Sequence, residues 1–197
     1  MPALPPKIPQ AYDVCFYVNG RPFLRKLEHG VTLDNDAIAW TADGSRTEMA
    51  FGFIVAINLK STGSRVIVEQ CAITFADNNI LTIVNSGPGG YSDSERAAAY
   101  RDFVRELHVK LAGSAYTGIR FRAGVPRGRY LATLALTTTA TAACVVFGLV
   151  EYLMTRDLHG LGLILVGGYL GWRLGRKALA NAPRDYTPDR LPENLLA

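Results

Sequence analysis

The feature that most constrains this chain is a pair of apolar runs, Tyr130–Met154 and Leu158–Trp172, separated by three polar residues. The first reads YLATLALTTTATAACVVFGLVEYLM and holds one formal charge, Glu151, near its far end. The second reads LHGLGLILVGGYLGW and holds none unless His159 is protonated. A helix of about 20 mostly apolar residues spans a bilayer. The first run meets that length alone, and the second meets it when continued to Leu174. Thr155, Arg156 and Asp157 suit a tight turn, so 129–175 reads as a two-helix transmembrane hairpin.

Charge divides the chain at the same place. Residues 1–119 carry 11 Lys/Arg and 12 Asp/Glu, whereas 120–197 carry 10 and 5. The formal net charge of +4 therefore belongs to the part that flanks the hairpin. A nucleic-acid binder would place its basic face on the folded domain, so nucleic acid is not an expected partner. Arg120, Arg122, Arg127 and Arg129 precede the first run, Arg173, Arg176 and Lys177 follow the second, and Arg156 is alone in the turn. Basic residues are retained on the cytoplasmic side of short flanks, which predicts both termini there. These seven flanking cations are also the candidate contacts for anionic lipid headgroups, making membrane lipids an expected partner.

Residues 1–10, MPALPPKIPQ, hold four prolines and no apolar core of signal-peptide length, and read as an extended arm. Cys15, Cys71 and Cys144 are widely spaced; without a CxxC pair and in a cytoplasmic domain, neither a disulfide nor structural zinc is expected.

From Tyr12 to Val84 short strands alternate with turn signals. Tyr12–Val18 leads into the turn pair Asn19-Gly20, then Pro22–Leu27, Val31–Leu33 and Ala37–Thr41. Asp43-Gly44 turns the chain into Met49–Lys60, which is nearly continuous apolar and reads as one covered strand. Arg65–Phe75 and Ile80–Val84 flank Asp77-Asn78-Asn79. The loop Ser86–Tyr91 is followed by Ser92-Asp93-Ser94-Glu95, which has the spacing of a capping box with Ser92 as cap. A helix to about Ala112 then carries Tyr100, Phe103, Val104, Leu107 and Leu111 on one face.

Strands followed by one amphipathic helix describe an α+β domain over 11–113. The helix would cap a bent antiparallel β-sheet, or partly open barrel. The strand with Ile38-Ala39-Trp40, the strand Met49–Leu59, the hairpin CAITFADNNILTIV at 71–84 and the helix YRDFVRELHVKLA at 100–112 resemble the bacterial pleckstrin-homology-like (PH-like) domains. With the hairpin and the tail PRDYTPDRLPENLL, the layout is similar to an uncharacterised family of bacterial membrane proteins. The resemblance implies a binding module rather than an enzyme, in a multi-pass protein of the bacterial inner membrane. In eukaryotic members a basic cluster between the first strands binds phosphoinositides; Arg21, Arg25 and Lys26 are the basic residues in that region here.

No catalytic set, cofactor motif or metal-ligand spacing is evident. His29, His108 and His159 read as surface or capping residues, and the glycine-rich SGPGG at 86–90 lacks the phosphate-loop ending. Gly167, Gly171 and Gly175 form a GxxxGxxxG series suited to close helix packing. They face either the hairpin's own first helix, through Ala135, Thr139 and Ala143, or another subunit. A protein partner or homo-oligomer held through the membrane helices is thus the second expected partner. Residues 114–128 read as a basic linker and 176–197 as a basic, then proline-punctuated tail, extended and free to dock on a partner or on the chain's own domain. The chain reads as a membrane-tethered scaffold or an accessory subunit of a membrane complex. The alternative is a small transporter or channel component with Glu151 functional.

Overall fold

A computed structural model describes residues 9–19, 28–62, 68–87, 93–112, 116, 118–156 and 158–192. The chain is α+β, with a large open mixed sheet that has nine strands among the described residues. In chain order the elements are β1 (Gln10–Val18), β2 (Glu28–Leu33), β3 (Ala37–Ala42), β4 (Ser45–Ala50), β5 (Ile54–Thr62), β6 (Val68–Phe75), β7 (Ile80–Val84) and α1 (Ser94–Leu111). Then follow β8 (Arg120–Ala123), α2 (Arg127–Thr155), α3 (Leu158–Ala180) and β9 (Arg184–Asp185). Two compact units form: Met1–Ala123 with Arg184–Ala197, and Gly124–Pro183.

In the first unit the sheet order is β4-β3-β2-β1-β7-β6-β5-β8-β9. Every neighbouring pair is antiparallel except β5 with β8. Alternating side chains set the buried face. Tyr12, Val14 and Phe16 of β1, Cys71, Ile73 and Phe75 of β6, and Phe121 and Ala123 of β8 join one core. The face of α1 that meets it consists of Tyr100, Phe103, Val104, Leu107, His108 and Leu111. Aromatic contacts fix the fit: Tyr12 meets Phe103 edge-on at 5.5 Å, and Trp40 stacks on Phe75 at 5.7 Å.

Several local expectations shift. The run Met49–Lys60 is two strands separated by a 3-10 turn at Phe51–Phe53. Phe51 is fully buried while Phe53 is exposed; a corner that drops one ring into the core looks, in sequence, like a continuous apolar strand. Asp43 and Gly44 both have positive φ, 50° and 76°, the backbone that a tight hairpin between β3 and β4 requires. The strand expected at Pro22–Leu27 and the cations Arg21, Arg25 and Lys26 lie outside the described residues, as do Ser92 and most of the 86–90 loop.

Helix α1 is capped by Asp93, one residue later than expected. Its Oδ1 accepts hydrogen bonds from the backbone N–H groups of Glu95 and Arg96 at 3.1 and 3.3 Å. A carboxylate there satisfies two otherwise free donors and faces the positive end of the helix dipole. Asp93→Ala is expected to cost about 1 kcal/mol, readable as a lower urea midpoint with an unchanged m-value.

The stretch read as a linker contains β8, and the tail contains β9. In the second unit, α2 and α3 form an antiparallel hairpin. Arg156 closes α2 in the left-handed conformation (φ 54°), its N–H donating to the Tyr152 carbonyl. Among the described residues one helix, Arg127–Thr155, is long and apolar enough to cross a membrane.

Candidate functional site

The C-terminal segment completes the first unit. In register, Arg122 faces Asp185 and Ala123 faces Arg184, and the Tyr186 N–H donates to the Phe121 carbonyl. The Tyr186 ring then lies 5.7 Å from that of Phe121 and 5.6 Å from that of His108. Leu191 also packs against the core.

His108 is the residue whose role the sequence concealed. It sits on the apolar face of α1, one residue after Leu107 and four after Val104, and is 1% exposed. Its Nδ1 lies 2.7 Å from the Val104 carbonyl, which can only accept, so Nδ1 carries the proton. Nε2 is therefore an acceptor, and the Tyr186 hydroxyl donates to it at 2.8 Å. Burial lowers the His108 pKa from 6.5 to about 4, opposed in part by the Val104 hydrogen bond. Burial, followed by the proximity of Cys71, raises that of Tyr186 and keeps its hydroxyl protonated.

A depressed histidine pKa favours the unfolded state wherever that state binds the extra proton. The unfolded imidazole protonates near pH 6.5 and the folded one near pH 4, so stability falls as pH drops through this window. The expected loss is about 3 kcal/mol. Denaturation midpoints measured from pH 7 to pH 4.5 check it, and His108→Gln should flatten that part of the profile.

Beside this latch is an open cleft of about 480 Å³. Leu111, Tyr116, Ile119 and Phe121 supply apolar walls, and Arg120, Arg122, Asp185 and Thr187 supply polar ones. Arg120 and Arg122 lie on the exposed face of β8, opposite to Phe121 and Ala123. Arg122 Nε is 3.8 Å from Asp185 Oδ1, with 59% and 89% of the two side chains exposed. Exposed pairs of this kind contribute at most about 1 kcal/mol, so the guanidinium remains exchangeable.

The hairpin supplies a second set of contacts. A Cβ on Gly167 would lie 2.5 Å from Cβ of Cys144, and one on Gly171 would collide with Thr141. Gly175, Gly162 and Gly168 face open space. The stripe on α2 that meets α3 runs through Thr141, Cys144, Gly148 and Tyr152, while Ala135, Thr139 and Ala143 are exposed. An apolar i, i+4 series alone does not say which helix face meets the partner, and Gly148 shifts it. A Cβ there would stand 2.6 Å from the Gly160 carbonyl oxygen, so the backbones touch. Gly175 opens instead onto a groove of about 460 Å³, lined by Leu134, Thr137, Thr138 and Ala142 among others.

Of the remaining cations, Arg127 and Arg129 are exposed at the start of α2, and Arg173 is exposed near the end of α3. The Arg176 guanidinium lies over the Trp172 ring at 5.2 Å, and Lys177 is half-buried. Glu151 is exposed four residues before the end of α2. No group of three or more His, Cys, Asp or Glu side chains is placed to hold a metal ion among the described residues. Neither the protein-family models nor the curated proteins contain a match to this chain.

Proposed function

We propose that this chain is a membrane-anchored binding and scaffolding module: a PH-like domain held at the cytoplasmic face of the bacterial inner membrane by the α2–α3 hairpin. The observation that carries this reading is the pairing of β8 with β9. These strands flank the hairpin in sequence, so the chain that leaves the domain at Ala123 must return to it at Arg184. If α2 crosses a bilayer, α3 must cross back. At about 1.5 Å per residue its 23 residues reach about 35 Å. The uncharged part, Leu158–Trp172, covers about 22 Å, so a crossing by α3 places Arg173, Arg176 and Lys177 toward the headgroup layer and thins the bilayer around it. Both termini then lie on one side, which the basic flanks assign to the cytoplasm.

The PH-like reading draws support from strand order. The strands β1–β4 and β5–β7 are two antiparallel meanders joined through β1 and β7, and α1 buries one apolar face against them. Such a domain suits recognition of a protein or lipid partner, and tethering raises the local concentration of a weak binder. Alkaline phosphatase fused at the Arg156 turn should be active, and the same enzyme fused after Ala197 inactive. The chain should also stay in the membrane pellet under alkaline carbonate. Extraction into the supernatant, or an inactive fusion at the turn, would overturn the anchor. Affinity purification in mild detergent then identifies any stable partner.

A further inference from the structure

We infer that the cleft between the end of α1 and the β8–β9 edge holds the phosphodiester headgroup of one anionic phospholipid from the bilayer that the hairpin crosses. The inference rests on the membrane-anchor reading above and adds a defined ligand site to it. Three observations carry it. The first is chemical: the cleft combines two arginines with the part-exposed side chains of Tyr116 and Ile119, over a floor of buried Leu111 and Phe121. That combination fits a charged phosphate continued by a glycerol backbone and the start of an acyl chain. The arginine fork matches phosphate oxygens in pairs.

The second is charge complementarity. Among the described residues that line the cleft, Asp185 is the one acid against Arg120 and Arg122, a net positive charge. The Arg122–Asp185 contact of 3.8 Å is long and exposed, and a phosphate can replace it without breaking a buried bond.

The third is covalent reach. Arg122 lies five residues before Arg127, where α2 begins, and Asp185 five residues after Ala180, where α3 ends. Five residues span at most about 17 Å. A bilayer entered by these helices therefore brings its headgroup layer, itself several ångströms thick, within reach of the cleft. A lipid enters by sideways diffusion, whereas a soluble anion must be taken from dilute solution.

The full chain, reconstituted in nanodiscs of phosphatidylcholine with phosphatidylglycerol, provides the test. Native mass spectrometry after release counts retained phosphatidylglycerol. The wild-type chain should keep one molecule per chain. The double variant Arg120→Gln/Arg122→Gln should bind it at least about tenfold more weakly. Arg127→Gln/Arg129→Gln removes the same charge beside the hairpin but outside the cleft, and should leave the tightly held lipid in place. Thr187→Trp fills the cleft without changing charge and should expel the lipid. Equal losses in the two arginine pairs would overturn the site in favour of general surface attraction. Unchanged retention in Arg120→Gln/Arg122→Gln would also overturn it, as would displacement of the lipid by a soluble glutamate-rich peptide through the same arginines. Carbonate extraction of the cell membranes from which each variant is purified, before reconstitution, separates the two readings. A chain that stays in the pellet yet loses no lipid in the variants refutes the cleft alone, and a chain that leaves the pellet refutes the anchor and the cleft together.

Discussion

Tyr186→Ala is expected to destabilise the first unit by about 4 kcal/mol, the largest effect of any single substitution in the C-terminal segment. Two costs add. Truncating a packed aromatic ring loses roughly 3 kcal/mol or more, here reduced because Tyr186 is only half-buried. The buried Nε2 of His108 then loses its hydrogen-bond donor, a penalty of about 1–3 kcal/mol. Tyr186→Phe separates the two terms, because it keeps the ring against Phe121 and His108 and removes only the hydroxyl. Its cost should be about 1–2 kcal/mol. Urea unfolding followed by the fluorescence of buried Trp40, in a Trp172→Phe background, measures both. A Tyr186→Ala chain as stable as its parent would mean that the segment after the hairpin is not part of the domain. The same logic sets the smallest fragment expected to fold: one that ends at residue 119 omits β8, β9 and Tyr186 together.

Gly160→Leu is expected to separate α3 from α2 and lower the hairpin's melting temperature by about 5–10 °C. Any side chain at Gly160 meets the Gly148 carbonyl oxygen and the Tyr152 backbone nitrogen, the latter at 2.7 Å. Neither is a flexible tip that can move aside, so the helices must part and lose the contacts of Thr141 and Cys144 beyond. Overpacking typically costs 1–3 kcal/mol, and each kcal/mol shifts the melting temperature by about 2–4 °C at this chain length. Gly175→Leu, on the same helix but facing open space, should leave it within about 1 °C. In a Cys15→Ala/Cys71→Ala background, thermal release of Cys144, a free cysteine on the α2 contact stripe, to a thiol-reactive dye in detergent follows the helix pair. Equal behaviour of the two variants would remove the argument that Gly160 is an internal contact.

These two expectations show where sequence reading reaches and where it stops. The helix α1 is visible because it writes its burial into a local period of about 3.6 residues. The strands β1, β2, β3, β6 and β7 are visible instead as short apolar runs next to turn residues, β3 and β7 being buried at four successive positions each. The five apolar residues that mark the α1 face are all buried. His108 lies on that same face, but a polar residue in an apolar stripe carries no signal without its partner, which is 78 positions away. The strands β8 and β9 were missed for a related reason. They have four and two residues, too few for a period, and each is ordered by the strand beside it rather than by its own composition.

The glycine series divides in the same way. Spacing alone says that Gly167, Gly171 and Gly175 fall along one side of α3. It does not say that Gly167 and Gly171 touch the hairpin's own α2 while Gly175 opens onto a groove. That depends on the crossing of two helices, and the crossing is set by the backbone contact of Gly148 with Gly160. The two apolar runs and the basic residues around them are properties of the chain at any conformation, because hydropathy and charge are carried by each residue separately. The tertiary structure alone decided that the chain beyond the second run comes back as a strand and sets a tyrosine on a buried histidine. Hydrogen-bond pairing and burial join residues that are distant in sequence, and only folding brings them together.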